Sequence, residues 1–178
     1  MTYRLLFFTL FFIQLTFAQT SEKPKLIVGI VVDQMRMEYL YRFQDNYTEN
    51  GFKKLIRNGY NLKNTHYNYV PTATGPGHAS IYTGTTPADH GIISNNWYSR
   101  ALKRVQDCVE DNSVFDVDNP VSPQKEGEKR TSKSPQKLMT TTVTDELKLF
   151  TSGRSKVIGL SIKDRASVLP AGHLADAA

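Results

Sequence analysis

The chain has 178 residues, a formal net charge of +5 and a single cysteine, Cys108. That length allows one modest domain, and one thiol excludes an internal disulfide, so stability must come from an apolar core or a metal. The basic residues are scattered. Their one looser concentration, KEGEKRTSKSPQK at 125–137, also holds acids, Ser and Pro and reads as a solvated loop, which argues against a nucleic-acid partner.

In chain order, Arg4 precedes an apolar run at 5–17, and Thr16-Phe17-Ala18 has the form of a cleavage site. Residues 1–18 therefore read as a secretory signal peptide, with Gln19 as the new N-terminus and a periplasmic or secreted destination. An N-terminal membrane anchor is the alternative, but the run is short for spanning a bilayer. No other segment is apolar enough to cross a membrane, and residues 19–178 form the folded part.

Residues 25–33 (KLIVGIVVD) are a continuous apolar run ending in a carboxylate, Asp33. The run predicts a strand buried on both faces of a parallel sheet. Ligands in open α/β sheets bind beyond the carboxyl ends of such strands, so Asp33 is a candidate metal ligand, with a turn or helix-cap role equally open. Short helices are expected at 37–43 and 51–58, stopped by Asn58-Gly59. Residues 60–70 alternate loosely and read as a strand leading into Pro71.

The stretch 69–96 (YVPTATGPGHASIYTGTTPADHGIISNN) carries the most chemistry. Pro71 closes the extended run before it. Gly75-Pro76-Gly77 follows Thr74 directly. Gly75 is expected to take a backbone conformation closed to residues with a Cβ, and Pro76 to open a helix running to about Thr83-Gly84. That places Thr74 at a helix N-terminus, where free N–H groups and the dipole suit an anion such as phosphate. Thr74 is then either a nucleophile or simply the N-cap.

Beyond it, 87–91 reads as a helical turn, Trp97-Tyr98 opens a poorer region, and 100–117 mixes strand-like pieces with turns. Residues 119–135 read as an exposed loop. Ser134-Pro135 should start a helix carrying Met139, Val143, Leu147 and Phe150 at helical spacing and ending at Ser152-Gly153. Residues 156–162 (KVIGLSI) read as a second buried strand, followed by Lys163, Asp164 and Arg165. Strand, helix and strand at this spacing predict an α/β, doubly wound, mostly parallel sheet. Residues 173–178 have the pattern of a helix start.

Phosphoryl transfer needs an activated nucleophile and cations for the nonbridging oxygens. His66, His78, His90 and His173 show no spacing to a partner hydroxyl, and each is expected to be structural. A metal could activate Thr74 instead, with Asp33 as a ligand. Asn95 could donate its amide to a phosphoryl oxygen. Lys163 and Arg165, two apart on an expected extended segment, would share a face and reach the transferred group together.

VVDQM around Asp33, PTATGPGHAS around Thr74, the following TGTTPADHGIISNNWY, and SIKDRASVLPAGH together resemble the alkaline phosphatase superfamily. The resemblance is to secreted flavobacterial alkaline phosphatases with a threonine nucleophile, related to nucleotide pyrophosphatases/phosphodiesterases, and it runs from about Lys25 to the last residue. It implies two Zn²⁺ ions and a phosphothreonine intermediate. Thr74 would be nucleophile and metal ligand, Asp33 a ligand of the same ion, and Asn95, Lys163 and Arg165 substrate-binding groups. The Lys163/Arg165 pair would mark a preference for small phosphate monoesters. The family's other zinc ligands have no counterpart here, so the chain is expected to be the N-terminal portion of an alkaline-phosphatase-like domain, inactive alone. A phosphodiesterase or nucleotide pyrophosphatase is the alternative within the superfamily. A non-catalytic secreted binding protein is the alternative outside it.

Overall fold

The computed structural model describes residues 23–114 and 132–178. The expected signal peptide at 1–18 and most of the 119–135 loop lie outside these residues. Two compact units divide at Val31 and Val32. Of the first, residues 23–30 form no helix or strand and are exposed; Leu26, for example, is 79% exposed. The expected buried strand at 25–33 is therefore corrected. An extended apolar run becomes a strand only when a neighbour takes its backbone hydrogen bonds, and among the described residues no strand or bridge pairs with 25–31.

The second unit begins with helix α1 (Tyr39–Arg42), a 3-10 turn (Gln44–Asn46) and helix α2 (Phe52–Asn58). Residues 60–70, expected as a strand, form none, and among the described residues no strand or bridge pairs with them. Helix α3 (Thr74–Thr83) follows and ends where the sequence reading ended it, with Gly84 in the left-handed region at φ 70°. Helix α4 (Pro87–His90) is a single turn. Strands β1 (Asn96–Ser99) and β2 (Arg104–Asp107) then form an antiparallel hairpin pairing Asn96 with Asp107 and Ser99 with Arg104. No turn dipeptide of the usual type lies between the two strands.

Helix α5 (Val143–Phe150) starts eight residues later than the Ser134-Pro135 signal implied. The reason is a capping box at the true start. The Thr142 hydroxyl accepts from Asp145 N at 3.1 Å, while Asp145 accepts from Thr142 N at 2.9 Å. Its expected end holds, with Ser152 and Gly153 both at positive φ.

Of the expected strand at 156–162, only the first half is engaged. Ile158 makes a parallel bridge with Ala177, and Gly159 N donates to Ala177 O at 2.9 Å. Leu160 is 89% exposed and Ile162 fully so. Helix α6 (Asp164–Ala171) connects the two bridged segments. This is a strand-helix-strand crossover in miniature, and residues 173–178 turn back to bridge at Ala177 rather than starting a helix.

The core lies beneath α3 and α6. Ala79 of α3, Ile92, Cys108, Val109, Leu138, and Val168 and Leu169 of α6 are buried together, with Trp97 against them. Dense packing of this kind fixes side-chain positions closely, and every element that presents a candidate site residue from α3 onward touches it. Among the described residues no helix is long and apolar enough to cross a membrane.

Candidate active site

Thr74 is the first residue of α3, and the N-cap position falls to Ala73, which makes no side-chain cap. The Thr74 hydroxyl instead donates to Asp33 Oδ2 at 3.0 Å, across 41 residues of sequence. The simple N-cap reading of Thr74 is thereby excluded, since its hydroxyl faces another segment. Asp33 lies in a turn in which Met35 N donates to Val32 O and Gln34 sits at φ 62°. A bulky residue in the left-handed region is uncommon and marks a turn held by its surroundings.

Lys163 Nζ also reaches Asp33 Oδ2, at 3.3 Å. Burial alone would raise the Asp33 carboxyl. The hydrogen bonds from Thr74 and Lys163 and the Lys163 charge outweigh it and hold the group below its ordinary value. Asp33 is therefore a carboxylate at neutral pH and a poor base for a hydroxyl proton.

Gly75 is helical, and the expected special backbone conformation is not found. What Gly75 supplies is space. A Cβ there would lie 3.1 Å from Cys108 Sγ and 3.2 Å from Asn95 Oδ1. This close approach lets Gly75 N donate to Asn95 Oδ1 at 2.7 Å. With its carbonyl oxygen bound to the nucleophile turn, Asn95 must present its NH₂ elsewhere, as a donor. The same bond uses one of the N–H groups expected to face a ligand, and Pro76 has none. The anion-binding character of this N-terminus therefore passes in part to Asn95.

Lys163 and Arg165 do not share a face. Lys163 is the extended N-cap of α6 and Arg165 lies inside the helix. The Ser161-to-Arg165 run turns helical at Asp164, an acidic residue favoured in a first turn, so the extended-segment expectation is corrected. Lys163 reaches Asp33, with its side chain 54% exposed. Arg165 Nη2 donates to Asp107 Oδ2 at 2.6 Å, with its side chain only 18% exposed.

The four histidines behave as supports, although one expectation about them fails. Ser80 and His90 do form a Ser–His pair, with Oγ and Nε2 2.9 Å apart. Ile92 N donates to His90 Nδ1, so Nε2 carries the proton and donates to Ser80 Oγ. Both residues are buried, and desolvation holds the imidazole below its ordinary value and neutral. The pair ties α3 to the segment leading to Asn95. His78 Nδ1 donates to Thr74 O at 2.8 Å, His66 lies 2.9 Å from Asn64 Oδ1, and His173 bonds Leu138 O and Asp145.

Asp33 and Thr74 offer a divalent ion two adjacent oxygen donors. They fit zinc in type but not in number, because zinc takes four ligands. Among the described residues no group of three or more His, Cys, Asp or Glu converges on a metal position.

A hydroxyl at a helix N-terminus, beside a carboxylate, an anchored amide and a lysine, is an arrangement suited to a phosphoryl group. The chain belongs to the type I phosphodiesterase / nucleotide pyrophosphatase family, which it matches over residues 27–151. It is 52% identical over 162 residues to the alkaline phosphatase PhoV of Synechococcus elongatus, covering 91% of this chain and 28% of PhoV. To the alkaline phosphatase PafA of Elizabethkingia meningoseptica it is 50% identical over 154 residues, or 85% of this chain and 27% of PafA. The crystal structure of wild-type PafA superposes with a TM-score of 0.77 at 48% identity, covering 88% of this chain and 29% of that one. A PafA variant substituted at one Thr, one Asn, one Lys and one Arg superposes equally well, at 44% identity with the same coverage. The chain thus shares the PafA fold over the covered part and spans under a third of the length of these relatives.

Proposed function

We propose that the complete protein is an exported, zinc-dependent phosphomonoesterase of which residues 19–178 form the N-terminal part, with Thr74 as its nucleophile. The single observation that carries this reading is the Thr74 hydroxyl, withheld from capping and bonded to Asp33, with Asn95 anchored one residue away. The relatives named alkaline phosphatases support it. So does the substituted PafA, whose altered Thr and Asn are spaced as Thr74 and Asn95 are, and whose altered Lys and Arg are two apart as Lys163 and Arg165 are. The apolar run at 5–17 supports export.

In this reading the Thr74 oxygen forms a bond to phosphorus while the ester P–O bond breaks. The proton lost by the Thr74 hydroxyl passes to water and the leaving alkoxide takes one from water; a second water then cleaves the phosphothreonine to release phosphate and restore the hydroxyl. Thr74 directs its proton at Asp33, which turns the oxygen's lone pairs outward. Because Asp33 is a weak base, the hydroxyl needs a Lewis acid. Zinc bound at Asp33 and Thr74, with ligands from elsewhere in the complete protein, would supply it by lowering the hydroxyl pKa. Asn95 NH₂ donates to a phosphoryl oxygen, and Lys163 and Arg165 compensate the dianion of a monoester. A diester carries one charge less and gains less from two cations.

The family match includes diesterases and pyrophosphatases, so substrate choice is part of the test. Hydrolysis of chromogenic mono- and diesters at alkaline pH with added Zn²⁺ should favour the monoester in the complete protein. Thr74→Ala should lower monoester turnover by on the order of 10⁴-fold or more, as loss of a nucleophile does elsewhere. The 178-residue chain alone should be inactive. Full activity of Thr74→Ala would remove the nucleophile assignment, and turnover by neither ester would favour a binding protein.

A further inference from the structure

Arg165 and Asn95 come from elements far apart in sequence, yet one hairpin governs both. Cys108 N, just past β2, donates to Asn95 O at 2.9 Å, and Cys108 Sγ packs against Gly75. Asp107, the last residue of β2, holds Arg165 Nη2 at 2.6 Å. Its own place is fixed from several sides. The ladder pairs it with Asn96, Val109 N donates to its Oδ1 at 3.0 Å, and the Asn96 amide, with its NH₂ turned inward, donates to Oδ2 at 3.0 Å.

We propose that Asp107 is the positioning residue for Arg165, and that the β1–β2 hairpin sets the separation between the Arg165 guanidinium and the Asn95 amide. This rests on the phosphomonoesterase reading above and extends it to a residue that never touches substrate. A planar guanidinium hydrogen-bonded through Nη2 to Asp107, with Nε a looser 3.5 Å from Asp164 Oδ1, keeps its other edge in a fixed direction, which a long free side chain would not do. Lys133 completes the arrangement. Its Nζ lies 3.0 Å from Asp164 Oδ2 and 3.7 Å from Asp107 Oδ1. Two carboxylates then face two cations, so Asp107 and Asp164 do not hold Arg165 against the dianion it must meet. Among the described residues Lys163 has no comparable anchor beyond Asp33, and it stays mostly exposed. Of the two cations, Arg165 is the one whose direction the protein fixes.

The experiment is a double-mutant cycle in the complete enzyme. The variants are Asp107→Ala, Arg165→Ala and both together, each measured for kcat/KM on a mono- and a diester and for inhibition by inorganic phosphate. Misplacing a binding group by about 1 Å can cost up to 10²-fold, so Asp107→Ala should lower monoester kcat/KM by about tenfold, weaken phosphate inhibition and cost diesterase activity several-fold less. In the Arg165→Ala background its further effect should be small, because the residue acts through Arg165. Asp107→Asn, which keeps an acceptor, should recover part of the loss, and thermal melting identifies any variant that fails to fold. Equal losses on both esters, or a full Asp107→Ala effect without Arg165, would overturn the proposal. If Arg165→Ala itself leaves the monoester-to-diester ratio unchanged, the monoester reading falls with it. If Arg165→Ala shifts the ratio and neither Asp107 variant does, only the role of Asp107 falls.

Discussion

Between Tyr39 and Asn58 two helices and a 3-10 turn bury no residue at all, whereas α3 and α6 pack face to face over Ala79, Ile92, Cys108 and Leu169. Both stretches are rich in apolar and aromatic side chains. The first uses them in pairs such as Tyr47 against Phe52, while Leu55 and Ile56 remain exposed. The second stacks them in a core. The candidate site divides along the same line. Thr74, Asn95 and Arg165 hang from the packed part through short backbone and charge-assisted bonds. Asp33 and Lys163 meet from exposed segments. The difference teaches that packing fixes the direction of the candidate groups Thr74, Asn95 and Arg165, while Asp33 and Lys163 are held by each other and by Thr74 from exposed segments.

Among the changes that test this division between packed and exposed residues, the largest effect on activity should come from the cations. Changing both Lys163 and Arg165 to Ala should cost the complete enzyme on the order of 10²-fold more kcat/KM on a monoester than on a diester. Of the single changes, Arg165→Ala should cost more than Lys163→Ala, because Arg165 is held and Lys163 must be ordered on binding, at about 2 kcal/mol of rotamer entropy. The reverse order would break the link between packing and site precision.

The next effect concerns stability. Leu169 is fully buried beneath α3, and Leu169→Ala should destabilise the 178-residue chain by about 2–5 kcal/mol. Leu55 in α2 is 66% exposed, and Leu55→Ala should change stability by less than about 0.5 kcal/mol. Denaturant unfolding measures both. Native-state hydrogen exchange should show α3 and α6 amides protected long after those of α1 and α2 have exchanged. Similar costs at the two leucines would mean that the thin region is better packed than its exposure indicates.

What was legible in the sequence follows from which signals are local. Helix α3, its end at Gly84 and the turn at 87–91 were readable because Pro, Gly and capping act within a few residues. The meeting of Asp33 with Thr74 was expected from a shared resemblance and a shared end of the chain's apolar runs, and their oxygens do lie 3.0 Å apart. Pairing was not legible. The runs at 25–33 and 156–162 looked like buried strands, but burial depends on neighbours that an apolar run cannot name. Of the hairpin at 96–107, strand-like pieces were legible within 100–117, where β2 lies, but not β1 or the pairing, because the strands are short and half polar. Asp107 was overlooked because nothing local distinguishes an aspartate that will meet an arginine 58 residues away. Asp145 was missed as well, though Thr142 and Asp145 at capping-box spacing before an apolar stripe could have been found.

Asp145 gives the last and smallest test, one that asks whether the packed region is held by charge as well as by apolar burial. It is 1% exposed and accepts from Thr142 N and Leu174 N, from the Thr142 hydroxyl, and faces His173 Nδ1 at 3.3 Å. Burial alone would raise its carboxyl. The hydrogen bonds outweigh that and hold it below the ordinary value. A carboxyl depressed in the folded state adds stability above its unfolded value, about 3.9, and loses it as pH falls through the lower folded value. Chain stability should therefore be level from neutrality down to about pH 4 as far as this group is concerned, and decline below that. Asp145→Asn keeps one acceptor oxygen but loses the charge that several donors share, and should cost about 1–3 kcal/mol at neutral pH. The cost should shrink as the wild type protonates, so the two stabilities, measured by denaturant unfolding between neutral and acid pH, should converge. Parallel curves over that range would show that Asp145 serves as a hydrogen-bond acceptor only, and that the packed region owes its order to the apolar core alone.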